Sequence, residues 1–153
     1  MAPNLTTKEE LLEANRFLNS ILNGIKDTMM VVDRDYRIEE VNESFAGKAG
    51  KPKHELLGKR CYRLLHHLNK PCVHNHPCPV KDAFKTGKTA EVLHIYLEGP
   101  KVAYSRIIAY PILNDRGKVT RVIELERDVT EWKKTGDHLY NMQKLAFLGK
   151  LAA

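Results

Sequence analysis

Leu11, Ala14, Leu18, Ile21 and Ile25 recur at a 3-4-3-4 spacing near the start of the chain. That is the apolar seam of a coiled coil, and it predicts an amphipathic helix over residues 1–27. Thr7, followed three residues later by Glu10, fits a capping box in which hydroxyl and carboxylate satisfy open backbone amides. The seam is short for a helix standing alone, so the segment needs a partner. The period then changes. Met29-Met30-Val31-Val32-Asp33 reads as a buried strand, Arg34-Asp35 as a turn, and Tyr36, Ile38 and Val41 as a second strand ending at Asn42. Glu43–Gly50 and Lys53–Gly58 read as short helices separated by Gly50 and Pro52. A further helix is expected over Pro79–Phe84, stopped by Gly87. Three apolar, β-branched runs follow at Ala90–Leu97, Val102–Leu113 and Val119–Arg127, with Asn114-Asp115-Arg116-Gly117 as hairpin-turn material between the last two.

Two strands, a run of short helices and three more strands predict an α+β domain over residues 28–130. It is a five-stranded antiparallel sheet covered on one face by helices. From Thr130, which is able to cap it, the chain turns helical again, giving a linker helix over 131–153. Leu139, Met142, Ala146, Gly149 and Ala153 keep the 3-4-3-4 spacing that a parallel helix pair needs.

Composition narrows the function classes. Among 153 residues, 42% are hydrophobic, enough for a real core, and no apolar run approaches the roughly 20 residues that span a bilayer. The formal charge of +6 is scattered among acids (Lys51, Lys53, Lys59, Arg60, Lys81, Lys85, Lys88). A nucleic-acid surface would concentrate it and interleave aromatics, so no nucleic-acid partner is expected. The start of the chain does not resemble a signal peptide and the cysteines number three, so reduced thiols in a cytoplasmic setting are expected. No membrane association is expected of this segment, although a longer protein containing it is compatible with membrane attachment.

The candidate chemistry is concentrated between Cys61 and Cys78, which holds every cysteine and four of the seven histidines. Thiolates and imidazoles are ligands for soft and borderline metals. The candidate metal set is Cys61, His66, Cys72, His74, His76 and Cys78, with His94 reaching across from the next strand. Pro71, Pro77 and Pro79 would hold the Cys72–Cys78 loop in shape. Cys61 and His66 stand about 500° apart on a helix, so they share a face only if the helix ends between them. Zinc or iron is the expected cofactor, if one is bound. The spacing fits neither a zinc finger, nor paired C-x2-C iron–sulfur ligation, nor covalent haem. A redox-active thiol pair and plain buried cysteines remain open readings of the same residues. Tyr104 and Arg106, on one strand, are the candidates for a ligand pocket. Arg106 is also placed to pair with Asp128. No catalytic set emerges: there is no Gly-rich phosphate loop with a lysine and no H-E-x-x-H.

The opening MMVVDRDYRIEEVNESFAGKAG, the central HELLGKRCY and the closing VIELERDVTEW resemble a PAS domain over about Ser20 to Trp132. The most specific element is Asp128-Val129-Thr130, which matches the family's Asp-x-Thr signature where the last strand passes to an outgoing helix. The Cys61, His66, Cys72, Cys78-Pro79 and His94 pattern resembles a cysteine-bearing subgroup of bacterial PAS sensors. QKLAFLGKLAA resembles the start of the dimerisation helix of sensor histidine kinases, just ahead of the phosphoacceptor histidine, which is not among these residues. The resemblance implies a non-catalytic input domain of a two-component sensor histidine kinase, homodimeric through its terminal helices. A kinase domain would lie downstream, with a response regulator as indirect partner. In this scheme the domain binds a metal, cofactor or small ligand, or senses redox through Cys/His, and relays the change through Asp128 and Thr130. A ligand-free dimerisation module is the alternative.

Overall fold

The structure is a computed structural model and describes residues 5–72 and 77–152. In chain order the elements are α1 (Leu5–Gly24), β1 (Thr28–Asp33), β2 (Ile38–Val41), α2 (Glu43–Ala49), α3 (Lys53–Leu56), α4 (Cys61–His66), α5 (Pro79–Thr86), β3 (Ala90–Glu98), β4 (Lys101–Leu113), β5 (Val119–Asp128) and α6 (Thr130–Ala152). The strands form one antiparallel sheet in the order β2-β1-β5-β4-β3. The first and last strands in sequence are therefore neighbours at the centre, with the β3-β4 hairpin on one side and β2 on the other.

The core lies between this sheet and helices α2 to α5. Met30, Val32, Val122 and Ala109 point to the helix side, where they meet Phe45, Leu56, Tyr62, Val80 and Ala83. Residues directly opposite on antiparallel strands share a face, so the pairs Met30–Glu124, Val32–Val122 and Ala109–Glu124 fix which side chains of β5 look inward. The opposite face carries Leu93, Ile95 and Leu97 of β3, all exposed.

Local chemistry explains the boundaries. Asn114 closes the β4-β5 hairpin: its side chain accepts from the amides of Arg116 and Lys118 at 3.0 and 2.9 Å, and Gly117 takes the left-handed backbone. Tyr36, expected in the second strand, instead sits in the preceding turn with φ of 62°. That is costly for a side chain with a Cβ. Its ring is held edge-on against Tyr62 and Phe84, which fixes the turn against the core. Thr7 does not begin the first helix, which already runs from Leu5, so the expected capping box is displaced into the helix body. Ile25 lies beyond the helix end at Gly24 and leaves the apolar seam. Leu11, Leu18 and Ile21 remain on it, exposed in the single chain.

Candidate functional site

A cavity of about 260 Å³ opens between β3–β5 and the helices, walled by Lys48, Leu65, His66, Pro77, Cys78, Pro79, His94, Tyr96, Ile107, Glu124 and Glu126. Strand alternation supplies three of its polar groups. Glu124 and Glu126 follow Val122 at inward positions of β5, and His94 lies inward on β3 opposite Ser105. Glu126 is well satisfied: Lys48 Nζ lies 2.8 Å away and the Ser105 hydroxyl donates at 2.6 Å. Burial pulls its carboxyl upward, but those two donors outweigh burial and leave it below the ordinary value. Glu124 has no such help. Burial, reinforced by the charge of Glu126 and only partly opposed by Lys48, pushes its carboxyl up to about 7. A larger hollow of about 670 Å³, lined by Arg37, Lys59, Arg60 and Arg63, is an open groove. There Arg37 already donates to the Gly58 carbonyl and Arg60 to the Tyr62 hydroxyl.

The cysteines come together beside this cavity. Cys61 and Cys72 are buried, Cys78 is half-buried, and all three are free thiols packed in one core cluster with Tyr36. The Cys72 and Cys78 side chains hydrogen-bond to each other. Burial, with Glu124 nearby, pushes the Cys61 thiol up to about 12, and burial does the same to Cys78. Burial also raises Cys72. Thiolate is the reactive form, and burial disfavours it at all three positions. We expect a polar disulfide reagent to titrate the native protein slowly and unfolding to release all three thiols. Immediate reaction of the native thiols would contradict this placement.

The sequence-derived metal set is thus divided. Its cysteines lie in the core cluster, with Cys78 also on the cavity wall. His66 and His94 line the cavity, where His94 Nε2 lies 3.4 Å from the Pro77 carbonyl. His74 and His76 lie outside the described residues. Helix α4 runs unbroken from Cys61 to His66, so these two stand roughly 140° apart around it and do not share a face. Among the described residues no group of three or more His, Cys, Asp or Glu side chains is arranged to hold a metal ion.

The two pocket candidates on β4 are corrected. Ala103, Ser105, Ile107 and Ala109 face the helices, which turns Tyr104 and Arg106 to the outer side of the sheet. There Arg106 makes a bidentate pair with Glu91, at 2.5 and 3.1 Å, rather than meeting Asp128 or the cavity. Tyr104 matters through its backbone. Its amide donates to the Thr130 hydroxyl at 2.9 Å, and its carbonyl accepts from the Val129 amide at 2.9 Å. Asp128 in turn accepts from the Thr130 amide at 2.9 Å. Bonds from the Thr130 hydroxyl and amide hold the Asp128 carboxyl below its usual value. The start of α6 is therefore fastened to β4 as well as to β5.

A matching clamp, absent from the sequence-derived site residues, stands where the chain enters. Asn42 is buried. Its amide donates to the carbonyls of Leu22, Ile25 and Asp27, and its oxygen accepts from the amides of Met29 and Phe45, both at 3.0 Å. One side chain thus joins the end of α1, the start of β1 and the N-terminus of α2. Asp27 also pairs with Arg127 at 2.8 Å, linking entry directly to exit.

Sheet order, helix-walled cavity and capped exit helix define a signal-sensing α+β module. The family model described as PAS fold matches residues 22–134, and the chain belongs to the PAS family. No curated protein matches it in sequence. Among solved structures it is similar to an RNA-binding light-oxygen-voltage receptor (TM-score 0.62, 20% identity), covering 86% of this chain and 38% of the receptor's. It is also similar to the PAS domain of Bordetella pertussis BvgS (TM-score 0.61, 14% identity, 88% and 99% covered). A sensory box sensor histidine kinase from Vibrio cholerae gives a TM-score of 0.51 at 18% identity, with 80% and 98% covered. At these identities the likeness is one of fold.

Proposed function

We propose that this chain is the input domain of a sensor histidine kinase, in which occupancy of the cavity beside β5 alters the outgoing helix α6. One observation carries this reading: hydrogen bonds at two adjoining residues of β4 run from the cavity wall to that helix. Glu126 accepts from Ser105, the adjoining Tyr104 donates its amide to the Thr130 hydroxyl, and the Asp128 carboxylate caps α6 by accepting from the Thr130 amide. A ligand that changes the field at Glu126 acts on the first link, and the helix start is the last. A ligand shifts such an equilibrium only by its different affinity for the two arrangements, so the cavity must differ between signalling states.

In a receptor containing this chain, Asp128→Ala is expected to remove signal dependence of autophosphorylation while leaving cavity occupancy nearly unchanged. The junction itself should weaken by about 1 kcal/mol, the usual worth of such a cap. Regulation that survives in the variant would overturn the relay.

A second reading is a ligand-free dimerisation module. It is favoured by the exposed apolar residues of both terminal helices, among them Leu11, Phe17, Leu139 and Phe147. In either reading a homodimer joined through α1 and α6 covers them.

A further inference from the structure

Glu124 and Glu126 enter the same cavity from alternate positions of β5, yet only one of them is satisfied. Lys48 and Ser105 serve Glu126. Among the described residues no hydrogen bond or ion pair reaches the Glu124 carboxyl. Its cross-strand neighbours are Met30 and Ala109, both buried and apolar, and the nearby Cys61 and Cys78 are uncharged thiols. Glu124 is half-buried and its carboxyl opens onto the cavity, so an ionised carboxylate there is only partly solvated and a cation entering the cavity would join it favourably. Lys48, engaged by Glu126, offsets the charge of Glu124 only in part, and the other titratable groups facing the cavity are Cys72, His66, His94 and Tyr96.

The rest of the wall says what kind of cation fits. Leu65, Pro77 and Ile107 offer apolar surface, and Tyr96 an aromatic face that attracts positive charge. At about 260 Å³ the space falls just below the roughly 300–1,000 Å³ typical of drug-sized ligands. It holds the volume of about nine waters.

We propose that Glu124 anchors a site for a small organic cation, a protonated alkylamine whose ammonium lies on the Glu124 carboxylate and whose chain lies against Leu65 and Ile107. The inference rests on reading this cavity as the sensory pocket, and it names the ligand class. It also supplies the trigger. A positive charge on Glu124 competes with Lys48 for the field at Glu126, the residue that starts the relay through Ser105.

The test is an NMR titration of the isotopically labelled 153-residue chain with three probes of matched size: n-butylammonium chloride, n-butanol and sodium butyrate. Butylammonium is expected to give saturable shifts at Glu124, Ile107 and His94. Butanol should bind at least about tenfold more weakly, since a charge-assisted bond is worth roughly 1.5–3 kcal/mol. Butyrate should not bind. Glu124→Gln should lose at least about tenfold in butylammonium affinity by the same reasoning. The comparison of probes on the unaltered protein decides the matter even if that variant does not fold.

If butanol or butyrate fills the cavity as well as the ammonium does, or if Glu124→Gln binds it unchanged, the cation inference is overturned while the sensory pocket stands. If neither these probes nor zinc moves a cavity resonance, both fall. A fourth titration with zinc chloride covers the remaining case: saturable shifts at His66, Cys78 and His94, without an ammonium response, would replace the amine site by a metal centre.

Discussion

Glu124→Gln is expected to stabilise the protein at about pH 8 and to leave it nearly unchanged at about pH 5. Burial holds the Glu124 carboxyl at about 7, against an ordinary 4.5, so the folded state keeps a proton that the unfolded chain has already released. The stability this confers is fully present below about 4.5 and is lost as pH rises through about 7. Above that, the folded protein carries an ionised carboxylate in a poorly solvated place. Glutamine has the same shape and no charge to lose. The gain at alkaline pH is bounded at about 3 kcal/mol. That corresponds to as much as about 10 °C in melting temperature for a chain of this size. Thermal unfolding of the two proteins across this range, without added amines, reads the effect. A glutamine variant less stable than the parent at alkaline pH would show that Glu124 already has a cationic partner in the folded chain.

Asn42→Ala is expected to cost about 4 kcal/mol, because it removes five hydrogen bonds at once and strands several buried backbone groups. The loss should be felt first at the end of α1. Amide hydrogen exchange near Leu22–Asp27 should accelerate before the sheet opens. Asn42→Asp separates the two halves of the clamp. An aspartate keeps the acceptor that caps α2 at Phe45, but it turns a carboxylate oxygen toward the carbonyls of Leu22, Ile25 and Asp27. It should therefore loosen α1 while sparing α2. Chemical denaturation gives the totals, and a loss below about 1 kcal/mol for the alanine variant would mean that water replaces the side chain at little cost.

Much of the architecture was legible in the chain. The apolar and β-branched runs marked all five strands, the Asn114-Asp115-Arg116-Gly117 turn formed as its chemistry requires, and Thr130 stands at the head of the exit helix. These are local signals, set by backbone preferences and neighbouring side chains. The cavity was not legible, for a physical reason. In Val122-Ile123-Glu124-Leu125-Glu126 the alternation invites placing Ile123 and Leu125 in the core and the acids in water, yet the helices cover the other face. Only the cross-strand pairs with Met30 and Ala109 reveal it. The same ambiguity misplaced Arg106, whose strand is apolar on both sides. Asn42 went unread because a residue that ends a strand and caps a helix looks ordinary. Its three carbonyl partners lie 15 to 20 residues away. The cysteine segment stood out by its composition, and the fold gathers its thiols at the core cluster.

The pairing of Asp27 with Arg127, and of Thr28 with Glu126, has a consequence for how such a module is wired. The incoming and outgoing rods are rooted on adjoining strands, a spacing of roughly 4.8 Å. A unit built this way can be spliced into a longer helical stalk, or repeated along it, without rerouting what lies on either side. Any torque between the two rods would cross only the Asp27–Arg127 pair and the β1–β5 ladder that join their roots.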